Sequence, residues 1–131
     1  MADITKVSTA SMDANSGMRS AYFSGLTAGS AIAVADACYI DSNGEVQPAI
    51  ASTVSTGSLV AFVGLAPKAV ADGSPITLFG LGARFSYGTE LTPGTVLFVS
   101  AENAGALTAT ANDGDLPVAI VVSSTDIQVI R

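Results

Sequence analysis

Histidine and tryptophan are absent from this chain and cysteine occurs once, as Cys38. A Ser-His-Asp or Cys-His relay needs an imidazole to carry the proton, and the usual zinc site needs several Cys or His ligands. Neither can be assembled here, and a single cysteine closes no disulfide within the chain. Carboxylates remain. Asp41, Asn43 and Glu45 place oxygen ligands at alternating positions, and Asn112-Asp113-Gly114-Asp115 is a second acidic turn. Calcium favours such oxygens, but neither run has the twelve-residue loop with its closing Glu, and these residue types recur in turns for backbone reasons. Asp36 with Asp41, or Glu90 with Glu102, are the pairs a glycosidase would need; no Trp is present to stack a sugar ring. Gly80-Leu81-Gly82-Ala83 lacks the third glycine of a dinucleotide fingerprint and precedes a β-like stretch, so phosphate binding is unsupported there. Cys38, between Ala37 and Tyr39, reads as an inert core residue. Arg84, between Ala83 and Phe85, reads as part of a solvated strand face, with a carboxylate across a subunit interface as its alternative partner. No enzyme, cofactor site or metal site is expected.

The elements that would position these residues are strands and turns. Tyr22-Phe23 leads into Gly25-Leu26-Thr27-Ala28-Gly29, a turn by composition. Ile32, Val34 and Cys38-Tyr39-Ile40 are short apolar pieces, and Asn43-Gly44 before Glu45-Val46 predicts a hairpin with a type I′ turn. Ser58 to Leu65 reads as a buried strand. Asp72-Gly73-Ser74-Pro75 is a turn, and Ile76-Thr77-Leu78-Phe79 alternates as a strand does. Strands are further expected at Arg84–Tyr87, Val96–Val99, Val118–Val122 and Ile127–Ile130, with Thr92-Pro93-Gly94 as a turn. The Ala-rich stretch 28–37 is not expected to be helical, because Gly29 and the alternation of Ile32 and Val34 oppose it.

The order of pieces repeats. Leu26-Thr27-Ala28-Gly29 matches Leu91-Thr92-Pro93-Gly94. Cys38-Tyr39-Ile40-Asp41 then parallels Leu97-Phe98-Val99-Ser100, and Gly44-Glu45-Val46 parallels Gly105-Ala106-Leu107. Phe62–Ala66 matches Val118–Val122, and Ile76-Thr77-Leu78 matches Ile127-Gln128-Val129. The expected fold is therefore all-β: a small β-barrel or β-sandwich built from two pseudo-repeated β-meanders, each completing the other's core. Residues 21–131 form this single β domain. Residues 1–20 have no sustained period and read as a flexible, extended N-terminal arm, with Ile4, Val7, Met12, Met18 and Tyr22 as spaced apolar contacts for a partner.

Composition narrows the partners. The 131 residues include 22 Ala, 13 Gly and 27 Ser plus Thr, and only 12% are charged, against about a quarter in ordinary soluble domains. Eleven acidic and five basic residues leave a net charge of −6. Lys6, Arg19, Lys68, Arg84 and Arg131 are scattered singly, so no stripe is available to neutralise phosphates and nucleic-acid binding is not expected. Mean hydropathy is +0.52, yet no apolar run approaches the about 20 residues of a membrane helix, so no membrane partner is expected. No basic stretch followed by an apolar one opens the sequence, so a secretory signal is not expected. A chain with so little charge is expected to cover apolar surface with partner subunits.

The run Leu91 to Ala109, preceded by Tyr87-Gly88-Thr89-Glu90, resembles phage head decoration (capsid cement) proteins, with their "Y-G-x-x-L-T-P" and "G-x-x-L-Y-(V/L)-S-x-x-x-G-x-L" stretches. Leu26 to Ala49 resembles the other half of that family's pattern, most closely from Asp36 to Val46. The resemblance spans residues 21–131. It implies a non-enzymatic virion structural protein, made in the host cytoplasm, that binds the exterior of an assembled capsid and stabilises it. Its partners would be the major capsid protein and further copies of itself, as a homotrimer. The resemblance assigns no contact residues. The competing expectation is a phage tail, fibre or adhesin-type β module that binds host surface glycans.

Overall fold

A computed structural model describes residues 3–54, 60–111 and 116–131 of the chain. The protein is nearly all β, with 36% strand against 7% helix. The strands are β1 (Ser11–Met12), β2 (Tyr22–Ala28), β3 (Ala37–Ile40), β4 (Glu45–Pro48), β5 (Gly64–Leu65), β6 (Pro75–Phe79), β7 (Arg84–Ser86), β8 (Val96–Val99), β9 (Leu107–Thr108), β10 (Ala119–Val121) and β11 (Asp126–Val129). Two four-residue helices, α1 (Ala14–Gly17) and α2 (Ala51–Val54), interrupt them.

One set of strands closes into a barrel in the order β2-β4-β3-β5-β6, and the other forms a six-stranded sheet in the order β1-β7-β11-β10-β8-β9. The two sets share one plan. Around the barrel, β2, β6, β5, β3 and β4 are successive antiparallel neighbours, and β7, β11, β10, β8 and β9 follow the same sequence of antiparallel pairings. Thus β3 corresponds to β8, β4 to β9, β5 to β10 and β6 to β11, as the repeated sequence pieces predict, with β2 and β7 as an additional matching pair.

Turn chemistry sets where strands begin. Five turns share a backbone hydrogen bond from the fourth residue to the first and a left-handed third residue, the signature of type II. They span 33–36, 71–74, 80–83, 92–95 and 103–106, with Ala35, Gly73, Gly82, Gly94 and Gly105 at φ from 62° to 97°. β3, β6, β7, β8 and β9 each start on the next residue. The match of Leu26–Gly29 to Leu91–Gly94 is thereby corrected: the counterpart of Thr92-Pro93-Gly94 is the turn at 33–36. Residues 26–28 belong instead to β2, whose register against β6 shifts between Phe23 and Leu26. Gly25, at φ 76°, permits a bulge within the strand rather than a reversal.

Two further expectations change. β3 and β4 do form the predicted hairpin, but only Gly44 has positive φ, so the turn is not type I′. Asp41 accepts the Gly44 N–H at 2.9 Å on its carbonyl, a type I turn ending in a left-handed glycine. The buried strand expected over 58–65 is confined to Gly64–Leu65; Ser58 and Leu59 lie outside the described residues. β5 approaches β6 so closely that a Cβ on Gly64 would lie 2.7 Å from the Phe79 carbonyl oxygen.

Two clusters make up the interior. Ala28, Ile32, Cys38, Val46, Ala66, Val70, Ile76 and Leu78 fill the barrel. The larger cluster is built on Phe85, Tyr87, Leu97, Val99, Leu107, Ile127 and Val129, and it also takes Ala35, Ala37, Ala49 and Leu65 from the first half. The halves therefore share a core.

Residues 3–20 lie against this framework. Asp3 forms a bridge to Thr108, Ile4 N–H donates to the Leu107 carbonyl (2.9 Å) and Val7 N–H to the Tyr87 carbonyl (2.8 Å), and β1 pairs with β7. Within the expected arm, Ile4 and Met12 pack on the larger core. Periodicity could not reveal this, because the segment touches the sheet at separated points rather than as one long strand.

Candidate interaction surface

The five expected contact residues divide into two groups. Ile4, Val7 and Met12 are half-buried against the sheet of β7 and β9. Met18 and Tyr22 point outward, 84% and 60% exposed. The chain turns between the groups through α1, whose Asp13 cap accepts the Asn15 N–H on its side chain at 3.0 Å. Gly17 sits in close packing at the end of this helix, where a Cβ would meet the Met12 Cε at 2.8 Å.

Phe23 and Leu81 extend the outward group, 52% and 57% exposed, and the sequence reading passed over both. Ala21 N–H donates to the Leu81 carbonyl at 3.0 Å, and Gly80 N–H to the Ala21 carbonyl at 2.8 Å, so the two chain segments lie side by side. The Tyr22 ring stands 5.9 Å from that of Phe79 at a tilt of 32°. A signal for Leu81 was present: it occupies the second position of a turn between two glycines, where a side chain has little to pack against. Phe79 also lines an open groove of about 420 Å³, together with Met12, Leu26, Lys68, Val70 and Ile76 among others.

Elsewhere the ionisable groups serve structure. Asp41 Oδ1 accepts the Asn43 and Glu45 N–H groups at 2.9 and 3.0 Å, and its Oδ2 accepts the Gln47 amide at 3.0 Å. The Glu45 N–H, then the Gln47 amide, hold its carboxyl below the ordinary value. Asp36 accepts the Ala33 N–H and pairs with Lys6 at 3.0 Å, while Lys6 also donates to the Val34 carbonyl at 2.6 Å. Asp36 and Asp41 are thus tied up at opposite ends of β3. Arg84, on a partly exposed strand face of β7, pairs with Asp126 of the same chain at 2.8 Å. Partial burial raises the Asp126 pKa, but the Arg84 and Thr125 hydrogen bonds and the Arg84 charge outweigh this and hold it low. Burial pushes the Cys38 thiol and the Tyr87 phenol well up, in keeping with interior packing roles.

Among the described residues no group of three or more His, Cys, Asp or Glu could hold a metal ion, and no helix is long and apolar enough to cross a membrane. The acidic turn at 112–115 lies outside the described residues. What the surface can do chemically is bury apolar area: Met18, Tyr22, Phe23 and Leu81 are large apolar side chains left to water. No protein-family model, curated protein or solved structure matches the chain.

Proposed function

We propose that this protein is a non-enzymatic virion structural protein that binds the outside of an assembled phage capsid and stabilises it. The observation that carries the reading is the exposure of four large apolar side chains, Met18, Tyr22, Phe23 and Leu81, on a small duplicated β framework. The sequence resemblance from Leu26 to Ala49 and from Tyr87 to Ala109 supplies the identity of the partner, the major capsid protein. Binding that requires the assembled shell stabilises it by mass action, because the dissociated subunits lose those contacts. In this reading the bound copies form homotrimers, and the low charge favours close contact among them.

The test is co-sedimentation with purified shells, followed by heating of the decorated particles. Tyr22→Ser with Leu81→Ser should weaken shell binding at least tenfold, since each removes about 1.5–3 kcal/mol of apolar burial when fully covered. Shells that fail to bind the wild-type protein would end the reading. The exposed Tyr22 ring beside Phe79 favours a second reading, a glycan-binding tail or adhesin module. Binding to host surface polysaccharide that is lost in Tyr22→Ser, with no binding to shells, would support that module instead.

A further inference from the structure

The two halves share a strand order but close differently. In the first, β4 pairs directly with β2 in parallel, completing the barrel. In the second, the corresponding β9 and β7 are not neighbours in the sheet: a separate piece of chain stands between them. Residues 3–12 bridge antiparallel to Thr108 of β9 at Asp3 and pair antiparallel with β7 at Ser11–Ser86 and Met12–Phe85. Being antiparallel to both, this segment leaves β7 and β9 running in the same sense, as β2 and β4 do. The second half is therefore the first half opened at this seam, which the N-terminal segment fills by meeting β9 at Asp3 and Ile4 and β7 at Ser11 and Met12, with a turn at 7–10 between.

That segment comes from outside the duplicated unit. Its backbone bonds at Ile4 and Val7, its pairing with β7 and the packing of Ile4 and Met12 on the larger core tie it to the slot, while the Lys6 ammonium reaches Asp36 and the Val34 carbonyl at the turn before β3. The chain then runs on through residues 13–21 to β2, with the Asp13 N–H on the Arg84 carbonyl (2.7 Å) and the Arg84 N–H on Ser16 Oγ (2.8 Å). We propose that the slot between β7 and β9 is a strand-acceptor site, and that residues 3–12 of a second copy of this chain can occupy it in place of the copy's own. A donated strand makes the same bonds in trans as in cis. The two arrangements differ in effective concentration and in the path of the connector. Exchange of this kind links neighbouring copies through main-chain pairing without using the exposed Met18, Tyr22, Phe23 and Leu81, and it is independent of the proposed capsid partner.

Ser11 and Ser86 report on occupancy because they are directly opposed. Opposed antiparallel residues have Cα atoms about 4.5–5.5 Å apart, inside the range a disulfide spans. The experiment mixes two full-length chains: a Ser11→Cys donor, with its thiol activated as a mixed disulfide, and a Ser86→Cys acceptor. Cys38 is buried in both. Incubation at high protein concentration should give donor–acceptor heterodimers at least tenfold faster than a Ser8→Cys donor, which is equally exposed but out of register. Adding Ile4→Asp to the Ser11→Cys donor should abolish the advantage. The Ser11→Cys/Ser86→Cys double variant, dilute and oxidised, should close within one chain. Equal rates for the two donors, or no heterodimer under conditions where the double variant closes, would overturn the proposal.

Discussion

Asp41 and Ser100 hold the same place in the two halves, and each uses its side-chain oxygen the same way. Asp41 Oδ1 takes the Asn43 and Glu45 N–H groups, and Ser100 Oγ takes those of Glu102 and Asn103 at 3.0 and 3.1 Å. Both satisfy turn donors that would otherwise be left to water. Because hydrogen bonds to the ionised form depress the Asp41 pKa, and the Arg84 pairing does so at Asp126, both carboxylates stabilise the fold when charged. A depressed folded pKa contributes stability that is present above the unfolded value, about 3.9, and is lost as pH falls through the folded one. Thermal midpoints should therefore hold from neutral pH to about 5 and drop below about 4. Asp41→Asn should show a shallower acid limb in the same titration. Gly94, with φ 90° and nothing near its missing Cβ, isolates the backbone term. Gly94→Ala should cost about 1–2 kcal/mol in chemical denaturation through the left-handed conformation alone.

At the level of elements, short strands are held in register by what precedes and abuts them. β5 has only two residues, and its place beside β6 requires that position 64 lack a side chain. Gly64→Ala sets a methyl against main chain, which cannot swing aside as a side chain can. It should destabilise by about 1–3 kcal/mol, measured by denaturant midpoint at unchanged far-UV circular dichroism. The hairpin at 41–44 was legible because Asp, Asn and Gly announce a turn, yet its type was not: Asn43 tolerates positive φ without requiring it. The strand forecast over 58–65 misjudged apolar content as pairing, since Val60 to Val63 carry apolar side chains outside any strand. Val63 packs against the barrel core, and Phe62 against the larger one.

For the whole molecule, the shared interior decides how it unfolds. Leu65 belongs to a barrel strand but is fully buried in the larger cluster, beside the core of the second half. Leu65→Ala should therefore cost about 2–5 kcal/mol and lower both halves together. Calorimetry should record one transition for wild type and variant alike; two separated transitions would mean the halves are independent domains.

What the residue order determined is the local part: the all-β class, most strand positions, the burial of Cys38, and the duplication visible from Asp36 onward. These depend on alternation, turn residues and spacing, all of which act over a few positions. Tertiary structure alone decided closure. β4 meets β2 across Thr27–Glu45 and Ala28–Val46, whereas β9 stands off from β7 to admit residues 3–12 through pairings as distant in sequence as Met12–Phe85 and Asp3–Thr108. It also decided which apolar residues of the first 22 face inward. Met12 and Met18 are the same residue type, yet Met12 pairs with β7 and packs on the larger core, while Met18, just past α1, is 84% exposed.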